Sequence, residues 1–175
     1  MSRVVKKKLF LESQSAMDTK NLIQKLQLKP HPEGGHYKET YRAEQKITAR
    51  EGKERNICTA IYYLLENKDK SHFHRIRSEE LWFFHQGQPL EIVFIQDGKL
   101  NTIVLGNDIA KGEEPQAKVP AYTWFAARIK NESGYSLISC TVSPGFDFSD
   151  FEMAKKDDLL NQFPHLKEAI EKFAL

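Results

Sequence analysis

Apolar residues in this chain gather in short blocks divided by turn-forming residues, and only near the two ends do they take up a helical spacing. Between Met17 and Leu28, the positions Leu22, Ile23 and Leu26 fall on one helical face, with Asp18 or Thr19 available as a cap and Pro30 and Pro32 as a stop. The turn Pro32-Glu33-Gly34-Gly35 leads into a strand-like segment, His36 to Arg42, with Tyr37 and Tyr41 on one face and His36, Lys38 and Thr40 on the other. Residues 46–54 are polar and read as a surface loop. The run Ile57 to Leu65 is apolar almost without interruption, which predicts a strand covered on both sides.

A charged turn, Glu66 to Lys70, precedes Ser71-His72-Phe73-His74-Arg75, and the next strand-like block, Glu80 to His85, ends at Gln86-Gly87. Beyond it, Leu90 to Ile95 and Leu100 to Leu105 flank Asp97-Gly98, and Asp-Gly between two β-rich runs is a strong local hairpin signal. Further strands are predicted at 116–119, 123–128 and 135–142. After Pro144-Gly145, Phe146, Phe148 and Phe151 recur through an aspartate-rich stretch; 152–160 reads helical, and Pro164 opens a last helix carrying Leu166, Ile170 and Phe173. Short strands with no helices of crossover length between them predict an all-β core, an antiparallel sandwich or barrel with short N- and C-terminal helices.

Length and charge narrow the setting. The chain has 175 residues, enough for one domain over 17–175 with its C-terminal helices from about 150, preceded by a basic tail over 1–16 that holds Arg3, Lys6, Lys7 and Lys8. Its 26 basic and 24 acidic residues nearly cancel, so no broad electrostatic footprint for nucleic acid exists. The N-terminus lacks the apolar stretch of a secretory signal and no segment reaches transmembrane length, which predicts a soluble, cytoplasmic protein without a membrane partner. Cys58 and Cys140 lie far apart inside apolar blocks and read as buried free thiols.

Candidate chemistry concentrates at His72 and His74. In a regular strand both imidazoles point to one face and Phe73 to the other, so two nitrogen ligands converge, with a carboxylate at Glu79 or Glu80 shortly after. Such a set can hold a divalent metal or polarise a small molecule. A strand histidine taken alone is more often a satisfied structural residue, and what lifts this pair above that is the ordered set of in-phase histidines, acidic residue, aromatic strand and Gly87. Glu80 shares its face with Trp82 and Phe84, which favours it over Glu79.

Several linked strings, His31-Pro32-Glu33-Gly34-Gly35, Ile61 to Leu65, Ser71 to Arg75, Val119-Pro120-Ala121, Trp124 to Ala127 and Ser143 to Phe148, resemble in order and spacing the cupin-5 family, a domain of unknown function within the cupin superfamily. The resemblance spans roughly residues 20 to 155 and implies an antiparallel double-stranded β-helix, or jelly-roll barrel. It implies a first cupin motif at His72, His74, Glu80 and Gly87, whereas the second motif places Phe125 where metal-binding cupins carry their last histidine. Phenylalanine cannot ligate, so any Fe, Mn or Zn would rest on His72, His74 and Glu80 alone.

The resemblance further implies a homodimer and a ligand site inside the barrel. The leading expectation is a small polar or aromatic metabolite, a nucleotide or sugar derivative among the candidates, isomerised or epimerised without metal as in the similar barrel of deoxysugar-nucleotide epimerases. His72 or His74 would be the base and Glu80 its orienter, with Trp82, Phe84, Trp124, Phe125, His36 and Arg128 contacting ligand. The alternatives are a metal-dependent oxygenase or isomerase and a binding module without turnover. Aromatic residues in strands are more often core than ligand contacts, and arginines more often surface residues than anchors.

Overall fold

The structure, a computed structural model, describes residues 19–175; the tail predicted over 1–16 and the cap Asp18 lie outside them. A short helix α1 (Thr19–Leu26) leads through β1 (Lys29–Pro30) into β2 (His36–Arg42). Next come β3 (Lys46–Thr48), β4 (Glu54–Asn56), β5 (Thr59–Glu66), β6 (Lys70–Arg75), β7 (Glu79–Gly87), β8 (Leu90–Gln96) and β9 (Lys99–Leu105). The strands β10 (Gln116–Val119), β11 (Trp124–Ile129), β12 (Tyr135–Ser143) and β13 (Glu152–Met153) follow, and α2 (Lys156–Gln162) and α3 (Lys167–Phe173) end the chain. One sheet has the order β1-β2-β5-β12-β7-β10 and the other β13-β6-β11-β8-β9, antiparallel throughout. Together they form a jelly-roll barrel, the architecture expected from the sequence.

Among the described residues, three apolar clusters follow from strand alternation. Inward residues of both sheets, among them Tyr63, Trp82, Ile92, Phe125, Ile138 and Cys140, fill the barrel. The outward residues Phe73, Val93, Ile95, Trp124 and Ala126 are covered by Leu159, Ile170 and Phe173 of α2 and α3. On the opposite sheet, α1 lays Leu22 over Leu64 and Leu137, which accounts for the two-sided apolarity of β5. Asp97 and Gly98 both adopt positive φ, 51° and 71°, as the hairpin between β8 and β9 requires.

Two segments depart from the sequence reading. The loop predicted over 46–54 contains the exposed hairpin β3–β4. The helix predicted from 152 starts only at Lys156, because Glu152 and Met153 pair with Arg75 and His74 on the edge of β6.

The register of β6 matters most. Phe125 of β11 lies opposite His74 and Ala127 opposite Ser71, so two steps on β11 face three on β6. The extra residue is a β-bulge, and it brings Ser71 and His74 to the same face. Phe73 turns outward onto Phe173, with ring centroids 5.9 Å apart.

Candidate functional site

The barrel interior keeps a cavity of about 40 Å³, room for a few heavy atoms given that one water needs about 10–15 Å³ on a comparable measure. His31, Glu33, Thr59, Tyr63, His74, Glu80, Trp82 and Cys140 supply its heteroatoms, and Ile61, Ile76, Val142, Phe146 and Phe151 its apolar wall. Beyond Ile76 and Phe151 lies a broader outer cleft of about 540 Å³, edged by Arg75, Arg77, Tyr122 and Asp150.

Glu33 enters this interior from a loop, and the two glycines after it explain how. Gly34 has φ +114° and packs so closely on the Lys70 carbonyl that a side chain there would collide with it. A Cβ at Gly35, φ +66°, would lie 2.6 Å from Leu65 Cδ2 and 2.7 Å from the Leu64 carbonyl oxygen. The loop is also tied by His72, whose backbone N–H and Nδ1 both lie 2.8 Å from the Glu33 carbonyl oxygen, and by Tyr63, whose hydroxyl donates to the Gly34 carbonyl over 2.8 Å.

Inside, Ser71 Oγ donates to Glu33 Oε1 at 2.9 Å, while Glu33 Oε2 lies 3.1 Å from His74 Nε2 and 3.3 Å from His31 Nδ1. His74 Nδ1 is 2.8 Å from the His72 carbonyl oxygen, which can only accept, so Nδ1 carries the hydrogen and the facing Nε2 is bare in the neutral ring. His31 Nδ1 accepts the Glu33 backbone N–H at 3.3 Å. With two bare imidazole nitrogens facing one carboxyl oxygen, the cluster needs a proton, held on Glu33 Oε2 or passed to His74 Nε2.

Burial sets the electrostatics in the same sense. It raises the Glu33 carboxyl above the ordinary carboxylate range, against the opposing pull of His31 and the Ser71 hydroxyl. Burial, with the nearby Glu33, pushes Glu80 to about 8, and desolvation pulls His74 down to about 4 and lowers His31. Near neutral pH the cavity therefore presents neutral imidazoles and a protonated Glu80. Trp82 is 1% exposed; its indole N–H lies near the Glu80 carboxyl and partly offsets the effect of burial there, yet among the described residues it has no acceptor at hydrogen-bond distance. An unsatisfied buried donor of this kind costs about 1–3 kcal/mol.

A family model described as Cupin superfamily (DUF985), Cupin_5, matches residues 20–154. The chain belongs to this family. It is 32% identical to the uncharacterized protein YML079W of Saccharomyces cerevisiae, over 86% of this chain and 82% of the yeast one. A hypothetical protein from Leishmania major superposes with a TM-score of 0.83 at 36% identity, covering 89% of this chain and 97% of that one. Protein SO0799 from Shewanella oneidensis does so with 0.82 at 40% identity, covering 89% and 96%.

In this cupin, the residues singled out from the sequence divide. His74, Glu80 and Trp82 line the cavity, and Glu80 rather than Glu79 faces it; Glu79 is exposed and pairs with Lys118. Phe125 packs beneath His74, ring centroids 4.0 Å apart, and Phe84 is partly buried against the interior cluster. The remaining residues lie away from the cavity. His72 is out of phase with His74 because of the bulge, and its ring is spent on the Glu33 carbonyl. His36 lies opposite Leu64, on the face covered by α1. Trp124 and Arg128 sit on the outward face of β11, Trp124 under the Arg75 guanidinium and Arg128 paired with Glu91 and Glu132.

The donor set does not fit the cupin metal centre. His72, His74 and Glu80 do not converge, Phe125 lies directly opposite His74 on β11, and His74 Nε2 faces Glu33. Among the described residues, no three His, Cys, Asp or Glu side chains form a group able to hold a metal ion.

His31, Glu33, Tyr63, Phe146 and Phe151 were not singled out for the site from the sequence. The signals for them were two titratable residues beside a Gly-Gly pair, and aromatic residues set in an acidic stretch. Phe146, Phe148 and Phe151 form a mutually edge-on strap over the cavity wall, which Arg55 fastens through Asp150 at 2.6 and 2.9 Å.

Proposed function

We propose that this cupin binds a small polar metabolite inside the barrel and isomerises it by metal-independent proton transfer. The observation that carries the reading is the buried His31–Glu33–His74 cluster, in which two imidazole nitrogens lie 3.3 and 3.1 Å from one Glu33 carboxyl oxygen in the cavity that Glu80 also lines. Two proton carriers in one buried cavity, one able to take a proton and the other to give one, are what isomerisation next to a carbonyl needs.

In the step so envisaged, the substrate C–H bond breaks and its proton passes to a Glu33 carboxyl oxygen as the Glu33 proton moves to His74 Nε2. The C–H electron pair becomes a C=C bond, the carbonyl π pair moves to oxygen, and that oxygen takes the Glu80 proton. In the return step Glu33 reprotonates one of the two carbons, the C=C pair forming the new C–H bond, while the hydroxyl on the other carbon re-forms C=O and gives its proton to Glu80; the His74 proton returns to Glu33 and the cluster is restored. His72 acts as a positioning residue that fixes the Glu33 carbonyl.

The test is loss of α-proton signals from a panel of small aldoses, ketoses and hydroxyketones incubated with the full chain in D2O and followed by NMR. Wild-type protein exchanges at least one of them, and Glu33→Gln and His74→Gln each slow that exchange by about 10²–10⁴-fold, the usual contribution of a general acid or base. Saturable binding with no exchange of any member would reduce the protein to a binding module. The half-exposed outward row Tyr62, Leu81 and Phe83 supports the expected homodimer, which sedimentation equilibrium checks.

A further inference from the structure

We infer that Trp82 and Glu80 together form the binding site for one carbonyl oxygen, and that the ligand is a small, uncharged carbonyl compound. The inference deepens the proton-transfer reading by naming its substrate class and rests on that reading only for what happens after binding.

Four side-chain nitrogen or oxygen atoms among the described residues are buried without a hydrogen-bond partner: His36 Nδ1, Trp82 Nε1, Trp124 Nε1 and Ser136 Oγ. Of these residues, only Trp82 lines the cavity. An indole N–H donates and never accepts, so it selects an acceptor atom from whatever enters. Glu80 lies two residues away on the same inward face of β7, opposite Val142 of β12, while Trp82 lies opposite Cys140. In its protonated form Glu80 is a second donor. A carbonyl oxygen has lone pairs for both, whereas an alcohol oxygen brings a hydrogen that needs an acceptor of its own.

Charge narrows the class further. Among the described residues, no lysine or arginine lines the cavity and two carboxyl groups do, so a carboxylate or phosphate inside would be buried without a counter-charge from them. The small volume limits the inserted part to a few heavy atoms. An aldehyde or ketone head satisfies all three conditions; any charged remainder of a larger ligand would have to sit outside, toward the cleft beyond Ile76 and Phe151.

The experiment is a titration of the ¹⁵N-labelled full chain, watching the indole N–H signals of Trp82 and Trp124, which Trp124→Phe assigns. The probes are hydroxyacetone, 1,2-propanediol as its carbonyl-free counterpart, and pyruvate as a charged ketone. Hydroxyacetone is expected to shift the Trp82 signal saturably and leave Trp124 in place, with the diol and pyruvate at least about tenfold weaker. A Trp82 signal that hydroxyacetone leaves unmoved, or that all three probes move alike, would overturn the inference. Glu33→Gln should keep the shift while losing α-proton exchange. A shift without exchange in the wild type therefore supports the oxygen site and defeats the proton-transfer reading. Exchange without a shift does the reverse.

Discussion

Replacing Glu80 with glutamine should stabilise the protein, and by an amount that grows with pH. The side chain keeps its shape in Glu80→Gln and loses its ability to ionise. In the folded protein its carboxyl titrates near 8, against an ordinary value of 4.5 that the unfolded chain restores. A carboxyl whose pKa rises on folding binds its proton more tightly in the folded state, so its stabilising effect is complete below pH 4.5 and is lost as pH climbs to 8. Each pH unit within that window costs about 1.4 kcal/mol. The wild type should therefore trail the variant by less than about 1 kcal/mol at pH 5 and by about 3 kcal/mol at pH 7, levelling off above pH 8 at about 5 kcal/mol.

For a chain of this size, about 3 kcal/mol corresponds to roughly 10 °C in Tm. Urea or thermal unfolding of both proteins from pH 5 to 9 measures the difference, and the other titrating groups cancel because both proteins carry them. The residual coupling is to Glu33, which raises Glu80 to the extent that it is itself ionised, and adding Glu33→Gln to both members of the pair isolates it. Any constant offset from altered hydrogen bonding drops out of the pH slope. Parallel stability curves between pH 5 and 8 would refute the reasoning, since they would mean that Glu80 reaches solvent or is already ionised in the fold.

Gly34→Ala forces a Cβ onto the Lys70 carbonyl at a left-handed φ; it should destabilise the fold by more than about 1 kcal/mol and displace Glu33, checked by unfolding and by loss of α-proton exchange. Phe73→Ala opens a hole between β6 and α3, and chemical denaturation should register about 3–5 kcal/mol. Arg55→Ala unfastens the aromatic strap, and hydrogen exchange at amides 146–151 should accelerate while the amides of β8 and β11 keep their protection. Elemental analysis of protein prepared without chelators should find well under one transition metal per chain, and His72→Ala should leave that content unchanged.

Much of the barrel was legible because strand alternation is a local signal. The β8–β9 hairpin was written in Asp97-Gly98, and the inward set Glu80, Trp82 and Phe84 followed from the period of β7. Glu80 could be preferred over Glu79 on that basis alone. The inward placement of Glu33 could not be read the same way, because it depends on how closely Gly34 and Gly35 approach Lys70, Leu64 and Leu65, contacts made across the fold. The start of the C-terminal helix was misread for a similar reason, since Glu152 and Met153 are drawn into β13 by the free edge of β6 rather than by their own preference. Trp124 looked like a pocket aromatic until α2 and α3 were seen to cover the face it occupies.

The extra residue in β6 bears on how a signature travels between proteins. A pattern such as H-x-H counts positions along the chain, whereas a ligand set is assembled across a sheet, and the two agree only while the strand keeps its period. Here one surplus residue divides the histidines between separate tasks: one secures the loop that delivers an acid, and the other meets that acid inside the barrel. A search that scores letters without phase would place both histidines in one ligand set, which the register of β6 does not. Shortening β6 by one residue should change which side chains share its inward face, making strand length an adjustable parameter for converting one kind of cavity into another.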